Sequence, residues 1–136
     1  MTAQPQTLPT IEFVAPMPGF PEHRRFYLVR LDDDGLMFEL TSVDDQQVRF
    51  VVMPPTPFFP DYAPEISEET LDALGVAPAE AGRLLILLVI TVGATAAEAT
   101  ANLLAPILLD QVTRQAVQVV LAGTNLPVRA ELVHTP

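Results

Sequence analysis

The chain has 136 residues, of which 49% are apolar, so it is long enough and apolar enough for one domain around a single core. Seven arginines and no lysine oppose seventeen acidic residues, and the formal charge of −10 disfavours direct binding to nucleic acid or anionic membranes and favours a basic protein partner. Because cysteine is absent, disulfides, thiolate metal sites and thiol catalysis are excluded, and we expect a soluble, cytoplasmic protein.

The two ends of the chain differ in composition from its middle. Residues 1–10 are rich in proline, threonine and other polar residues and are predicted to form a flexible tail, whereas residues 11–133 are predicted to form a single domain. The first six residues have neither a basic nor an apolar stretch, so we expect no secretory signal. The apolar run Leu84 to Val92 has about half the length of a membrane-spanning helix, so no membrane partner is expected.

The first third of the chain predicts a meander of short strands. Its apolar segments have the length and the aromatic or β-branched content of strands, over residues 11–14, 26–31, 36–43 and 48–53. They are separated by turn sequences at residues 17–21, where Gly19 can take a positive φ, at 32–35 and at 44–47. Hairpin turns so close together favour antiparallel pairing over alternating strands and helices.

One helix is well marked in the middle of the chain. Ser67 can cap its N-terminus, Glu68 and Glu69 suit the positive end of its dipole, and Gly75 suits the position after its last turn. Residues 78–82 can add a further helical turn.

The second half of the chain returns to strands. Residues 84–92 are apolar at consecutive positions, which is typical of a central strand covered on both faces. Pro106 interrupts the next strand and is expected at an edge or a bulge. The remaining strands are predicted over residues 100–104, 107–109, 116–121 and 128–133. The predicted fold class is mainly β, a small antiparallel β-barrel-like domain with one or two short helices.

The segment Pro54–Tyr62 contains four prolines and three aromatic residues, which exclude a helix and a central strand. Its aromatic rings can cover the core or face a partner, and both hold if one ring points inward and another outward. A stiff loop loses little conformational entropy on binding. We therefore predict a partner-binding surface at Phe58, Phe59, Asp61 and Tyr62.

Three further residues complete the predicted partner-binding set. Asn102 lies between apolar residues, and a half-buried amide needs hydrogen-bond partners, so we predict that its side chain bonds the backbone of the proline-rich loop. Asp44 and Asp45, in an exposed turn, can meet an arginine of a partner, although such a pair contributes only about 0–1 kcal/mol.

No catalytic, cofactor or metal site is predicted. His23 and His134 are the only histidines, and neither has neighbours at the spacing of a catalytic triad or a metal site. Asp32–Gly35 begins like a calcium loop, but Val43 stands where the twelfth residue of that loop supplies a glutamate. We therefore expect a protein that is not an enzyme.

Five motifs, in order along the chain, resemble those of one family. They are Met17–Phe20, Leu40–Asp45, Phe50–Val52 with Phe58–Tyr62, Thr100–Ile107 and Gln118–Leu121. Together they resemble the FliW family of bacterial flagellar assembly factors, from about Ile11 to about Leu132. The resemblance assigns structural roles to motif residues Pro18, Gly19, Phe20, Pro60, Ala105 and Pro106, and the motif residues can serve the fold instead of partner binding.

The resemblance implies a β-barrel-like protein without catalysis that binds flagellin in the cytoplasm. When flagellin is scarce, it implies binding to CsrA, an RNA-binding repressor of flagellin translation, which the protein would antagonise. CsrA has a basic surface, to which an acidic protein is attracted. The alternatives are a flagellin-binding chaperone without CsrA regulation and a small-ligand-binding β-barrel. A monomer is expected.

Overall fold

A computed structural model of the chain describes residues 10–17, 19–33, 36–56, 58–91, 98–121 and 123–132. The strands are β1 Thr10–Phe13, β2 Arg25–Arg30, β3 Phe38–Ser42, β4 Arg49–Met53, β5 Leu84–Thr91, β6 Thr100–Ala101, β7 Ile107–Asp110, β8 Gln115–Gln118 and β9 Ala130–Glu131. Helix α1 spans Glu68–Leu74 and a 3-10 helix spans Pro78–Arg83. The predicted tail lies outside the described residues, apart from Thr10 in β1.

Seven of these strands close into a barrel. β1 to β4 form the predicted antiparallel meander, and β4 pairs antiparallel with the second half of β5. β5 pairs with β7 and β7 with β8, and β8 returns to β1 in a parallel pairing that places Phe13 opposite Ala116. The short strands β6 and β9 extend the sheet beside β5. The mainly β, barrel-like fold class is confirmed, and the parallel closure departs from the otherwise antiparallel order.

Aromatic rings fill one end of the barrel interior. Phe13 and Phe26 are fully buried, with ring centroids 5.4 Å apart in an edge-to-face arrangement. Phe50 lies 6.1 Å from Phe26, and Phe20 meets Phe50 edge to face at 5.0 Å. Edge-to-face contacts are a preferred geometry for aromatic rings. Gly19 has a φ of +89°, as predicted for its turn, and this turn brings Phe20 to the barrel end.

β5 is apolar on both faces because both faces are covered. Leu85, Leu87 and Val89 belong to the cluster that fills the barrel. The alternate side chains point outward, because successive residues of a strand face opposite sides. Among them, Leu84 and Ile86 pack beneath α1, and the outward residues further along β5 pack beneath the proline-rich loop. The prediction of a central strand covered on both sides is confirmed.

Helix α1 begins and ends at the residues predicted to cap it. Ser67 Oγ accepts a hydrogen bond of 3.1 Å from the Thr70 amide. Gly75 follows the last turn with a φ of +71°, and the amides of Gly75 and Val76 donate to carbonyls of that turn. This ending satisfies carbonyls that the helix itself leaves unpaired. The buried Leu71 then packs against the outer wall of the barrel.

A buried serine shapes the turn between β3 and β4. Ser42 Oγ accepts from the amides of Asp44 at 3.2 Å and Asp45 at 3.3 Å, and it lies 2.8 Å from His23 Nδ1. His23, for which neither a catalytic nor a metal-binding role was predicted, therefore braces this turn.

A buried ion pair joins the start of β5 to the turn between β7 and β8. Asp110 is fully buried, and Arg83 donates to it through Nε at 3.0 Å and Nη2 at 2.9 Å. Burial alone would raise the pKa of Asp110, but hydrogen bonds from Arg83 and from the amides of Val112 and Thr113 outweigh it and hold this pKa below its usual range. The sequence motifs did not indicate this pair.

We expect Asp110→Asn to lower the melting temperature at pH 7, because Arg83 then loses a bidentate anionic partner. A carboxyl whose pKa is lower in the folded chain stabilises it above the unfolded pKa of about 4, and this stabilisation is lost as the pH falls through the folded value. The difference in melting temperature between the parent and the variant should therefore shrink below about pH 4. Circular dichroism across this range, with the exposed Asp33→Asn as control, measures it; a constant difference would contradict the role of the charge.

We expect Ser42→Ala to lower the free energy of unfolding by about 1–3 kcal/mol, since it leaves two part-buried amides and the His23 nitrogen without their partner. Urea denaturation measures this change. Ser67→Ala is a matched control, because it removes an exposed cap of α1 and should cost only about 1 kcal/mol. A smaller loss at Ser42 than at Ser67 would refute the bracing role.

Candidate partner-binding site

The proline-rich loop, residues 54–62, lies on the outer wall of the barrel. Phe58, Phe59 and Tyr62 are half-buried and pack on a cluster that includes the buried Met53 and Leu88. The same three rings line an open cavity of about 330 Å³. The rings therefore cover apolar side chains of the wall, as the first alternative predicts, and they also present a surface to solvent, where contact with a partner stays a prediction.

The loop is held by its own backbone. The carbonyl of the buried Pro55 accepts from the amides of Phe58 at 3.0 Å and Phe59 at 2.7 Å. The amide of Tyr62 donates to the Phe59 carbonyl at 3.0 Å. These bonds, with the fixed φ of the prolines, keep the rings in place before any partner arrives. Pro57 lies outside the described residues.

The Asn102 bulge, residues 102–106, lies between β6 and β7. Along β5 the pairing advances three residues, from Leu87 to Ile90, while the opposing chain advances six, from Ala101 to Ile107. Three residues of the opposing chain are therefore looped out, in agreement with the bulge predicted near Pro106.

The Asn102 side chain shapes this bulge. Its Oδ1 accepts from the amides of Leu104 at 3.0 Å and Ala105 at 3.1 Å. The prediction that Asn102 bonds the proline-rich loop is therefore wrong. A short amide side chain reaches the backbone two and three residues ahead, and these local bonds satisfy its oxygen without the loop.

Tyr62 makes the link between loop and bulge. Its hydroxyl donates to the Leu103 carbonyl at 2.6 Å. Burial raises the pKa of Tyr62 to about 12, so the hydroxyl keeps the proton that it donates. The amide of Leu103 in turn donates to the Pro127 carbonyl at 3.0 Å. Loop, bulge and C-terminal segment are thus joined by consecutive hydrogen bonds.

The structure does not bring all the predicted site residues together. Asp61 is exposed and lines the same cavity as the aromatic rings. Asp44 and Asp45 precede β4, whereas the proline-rich loop follows it, so the five residues of β4 separate the two places by roughly 17 Å. The two aspartates are exposed, but they form a separate surface.

Several motif residues have structural contacts. The carbonyl of the buried Pro106 accepts from the Val119 amide at 2.9 Å, and that of Ala105 accepts from Gln118 Nε2 at 3.1 Å. Pro60 is exposed in the proline-rich loop, and Pro18 lies outside the described residues. The contacts of Ala105 and Pro106 serve the fold.

Sequence reasoning missed a groove beside the proline-rich loop. A cavity of about 700 Å³ lies between residues 63–67 on one side and residues 119–121 and 124–126 on the other, and Val120 on its wall is 58% exposed. The signal for it was weak, because Val120 reads as one more residue of a valine-rich strand. Leu126 lines both this cavity and the one at the proline-rich loop.

In the part of the chain that the structure describes, no group of three or more histidine, cysteine, aspartate or glutamate residues is arranged to hold a metal ion. Neither helix of the described residues has the length and apolar content needed to cross a membrane.

We expect Tyr62→Phe to loosen the proline-rich loop, because the Leu103 carbonyl loses its donor at a cost of about 1–2 kcal/mol. Chymotrypsin cleavage within residues 58–62 should become faster, and mass spectrometry of a limited digest measures it. Tyr27→Phe is the control, since the Tyr27 hydroxyl has no hydrogen bond within the described residues. Equal cleavage rates in the two variants would show that the Tyr62–Leu103 hydrogen bond does not hold the loop.

Comparison with known proteins places the chain in a family. The model of the family described as FliW protein matches residues 1–132. The chain is 38% identical over 122 residues to the flagellar assembly factor FliW of Symbiobacterium thermophilum, covering 89% of this chain and 87% of that protein. It is 35% identical over 112 residues to the flagellar assembly factor FliW of Caldanaerobacter subterraneus subsp. tengcongensis, covering 82% and 73%.

A solved structure agrees with these sequence matches. The crystal structure of the flagellar assembly factor FliW is similar with a TM-score of 0.81 and 29% identity, covering 92% of this chain and 86% of that one. The chain therefore belongs to the FliW family of flagellar assembly factors.

Proposed function

We propose that this chain binds flagellin in the cytoplasm and, when free of flagellin, binds CsrA and antagonises its repression of flagellin translation. The observation that carries the proposal is membership of the FliW family, with the match extending over residues 1–132. Flagellar assembly requires subunits that stay unassembled until export, and a cytoplasmic binding protein meets that requirement.

The proline-rich loop supports a role in binding a protein. Its aromatic rings are ordered by the Pro55 carbonyl and by the Tyr62 hydroxyl. Aromatic side chains contribute a large share of the energy of protein interfaces, and side chains that are already ordered lose little entropy on binding. Phe58 and Tyr62, beside the exposed Asp61, thus combine apolar contact with an anionic neighbour.

The charge of the chain supports attraction to a basic partner. A net charge of −10 raises the rate at which a cationic surface is encountered, and salt reduces that rate. An RNA-binding surface such as that of CsrA is basic, because it must neutralise phosphates. Attraction of this kind sets the rate of encounter more than the choice of partner, which depends on the contact surface.

The antagonism proposed here is a competition for one protein. When flagellin is abundant it occupies the chain, and CsrA is left to repress translation. When flagellin is exported, the free chain binds CsrA and repression is relieved. Binding of one partner then reduces the fraction of the chain that is available to the other, which couples flagellin level to flagellin synthesis.

The alternative of a small-ligand-binding barrel finds less support. Among the described residues, ten buried side chains form the cluster inside the barrel, including those of Phe13, Phe26 and Leu40. An opening of about 300 Å³ remains at one barrel end, lined in part by Leu28, Phe38 and Arg114. The filled interior favours binding on the outer surface.

Calorimetry of this chain with flagellin from the same organism, and with CsrA as the second titrant, tests the proposal. We expect one-to-one binding of flagellin, displacement of one partner by the other, and weaker CsrA binding at high salt. Flagellin binding alone would leave the chaperone alternative without CsrA regulation. Binding of neither partner would refute the proposal.

A variant pair locates the contact. Phe58→Ala should weaken flagellin or CsrA binding by about tenfold or more, the loss expected for a contact worth about 1.4 kcal/mol. Val112→Ala is the control, because Val112 is 70% exposed in the remote turn between β7 and β8. Equal affinities of the two variants would place the partner surface elsewhere.

A further inference from the structure

Beyond Gln118, the last residue of β8, the chain continues to hydrogen-bond on one side only, to the residues that precede β7. The amide of Val119 donates to the Pro106 carbonyl at 2.9 Å, and that of Leu121 donates to the Leu104 carbonyl at 2.8 Å. Both bonds keep the register of the β7–β8 pairing. Because backbone groups of successive residues in an extended chain point to opposite sides, those of Gln118 and Val120 point away from β7.

The opposite side of β8 is covered by β1 only at its beginning. The parallel pairing ends where the Val14 amide donates to the Ala116 carbonyl at 2.9 Å. If the parallel ladder continued, the Gln118 amide would donate to the Val14 carbonyl, but Arg24 Nη2 donates to that carbonyl instead, at 2.7 Å. Within the described ranges, the backbone N–H and C=O of Gln118 and Val120 therefore have no hydrogen-bond partner.

This open edge, residues 118–120, forms one wall of a groove. The other wall is the segment 63–67 with the first turns of α1. Two cavities, of about 700 Å³ and about 350 Å³, meet along it and share Ser67, Val119 and Val120 in their linings. The groove is thus bounded by an unpaired strand edge and by exposed apolar side chains, of which Val120 is 58% exposed.

The rim of the groove is acidic. Glu65 lines the larger cavity and Glu69 the smaller, and no arginine, lysine or histidine in the described part of the chain lines either. Among the described residues, neither glutamate forms an ion pair. A second copy of the chain would bring the same net charge of −10 to this rim, whereas a cationic segment would be attracted to it.

We infer that this groove takes an extended segment of a protein partner by strand addition, with an aliphatic side chain against Val120 and a basic side chain against Glu65 or Glu69. Strand addition uses main-chain hydrogen bonds for affinity and alternate side chains for selectivity. An unpaired edge is otherwise a liability that proteins shorten or cover. The inference rests on the proposed function only for the identity of the protein that supplies the segment.

A peptide tests the groove without any natural partner. The probe is a capped peptide of alternating valine and arginine, and the matched control peptide alternates valine and glutamate. We expect the arginine peptide to slow hydrogen exchange of the Gln118 and Val120 amides by about tenfold or more, because they become hydrogen-bonded. Exchange at the exposed Gln46 amide should stay unchanged, and the glutamate peptide should have no effect.

A variant pair controls for the added charge of a cationic substitution. Val120→Lys should remove the protection, since it replaces the apolar contact and repels the arginine peptide. Val112→Lys adds the same charge to an exposed valine at the far end of β8, so it should leave the protection intact. Absence of protection at Gln118 and Val120, or equal protection in both variants, would overturn the inference. A dimer that sedimentation detects and Val120→Lys dissolves would also overturn it, since the occupant would then be a second copy.

Titration of unmodified flagellin into the same samples keeps this inference and the proposed function apart. If the arginine peptide protects the Gln118 and Val120 amides but flagellin does not bind, the groove inference is supported and the proposed function is refuted. If flagellin binds the parent chain but neither flagellin nor the arginine peptide protects the Gln118 and Val120 amides, the groove inference is refuted and the proposed function is retained.

Discussion

β5 carries apolar side chains on both faces, and the rest of the structure follows from the need to cover them. Its inner face is buried by closing the sheet into a barrel. Its outer face needs separate covers, and α1 and the proline-rich loop supply them. A helix of seven residues is too short to be stable alone, so its packing on Leu84 and Ile86 is also what maintains it. The surface proposed for binding is thus placed by burial of the barrel wall.

Hydrogen bonds then determine the backbone conformation of the turns and loops that burial holds against the barrel. Ser42, Asn102 and Tyr62 each satisfy backbone groups at a turn, a bulge and a loop. Their side chains are used inside the fold, which explains why residues of the family motifs have so many structural contacts. The surfaces proposed for partner binding are those not used in this way, namely the outer sides of the aromatic rings and the open edge at Val120. Leu126 lines both cavities, so a segment in the groove would end beside the proline-rich loop.

The local features were predictable from the sequence because short-range physics determines them. Gly19 takes a positive φ, Ser67 and Gly75 cap α1, and the alternation along β5 separates its two faces. The proline-rich loop was identified as a rigid aromatic surface for the same reason, since proline restricts φ whatever surrounds it. Asn102 was correctly expected to need hydrogen-bond partners, but the wrong ones were chosen, because its amide can satisfy the same need locally or across the fold.

The sequence by itself thus determined the elements, their caps and the need for a covered central strand. Beyond the meander of β1 to β4, only the tertiary structure decided which elements meet. The parallel closure of β1 on β8, the Arg83–Asp110 pair across 27 residues and the Tyr62–Leu103 bond across 41 depend on strand order, which no local pattern encodes. The open edge at Gln118 and Val120 arises in the same way, because it exists only where β1 ends and its neighbour continues. Local chemistry acts between neighbours along the chain, whereas these contacts are made by neighbours in space.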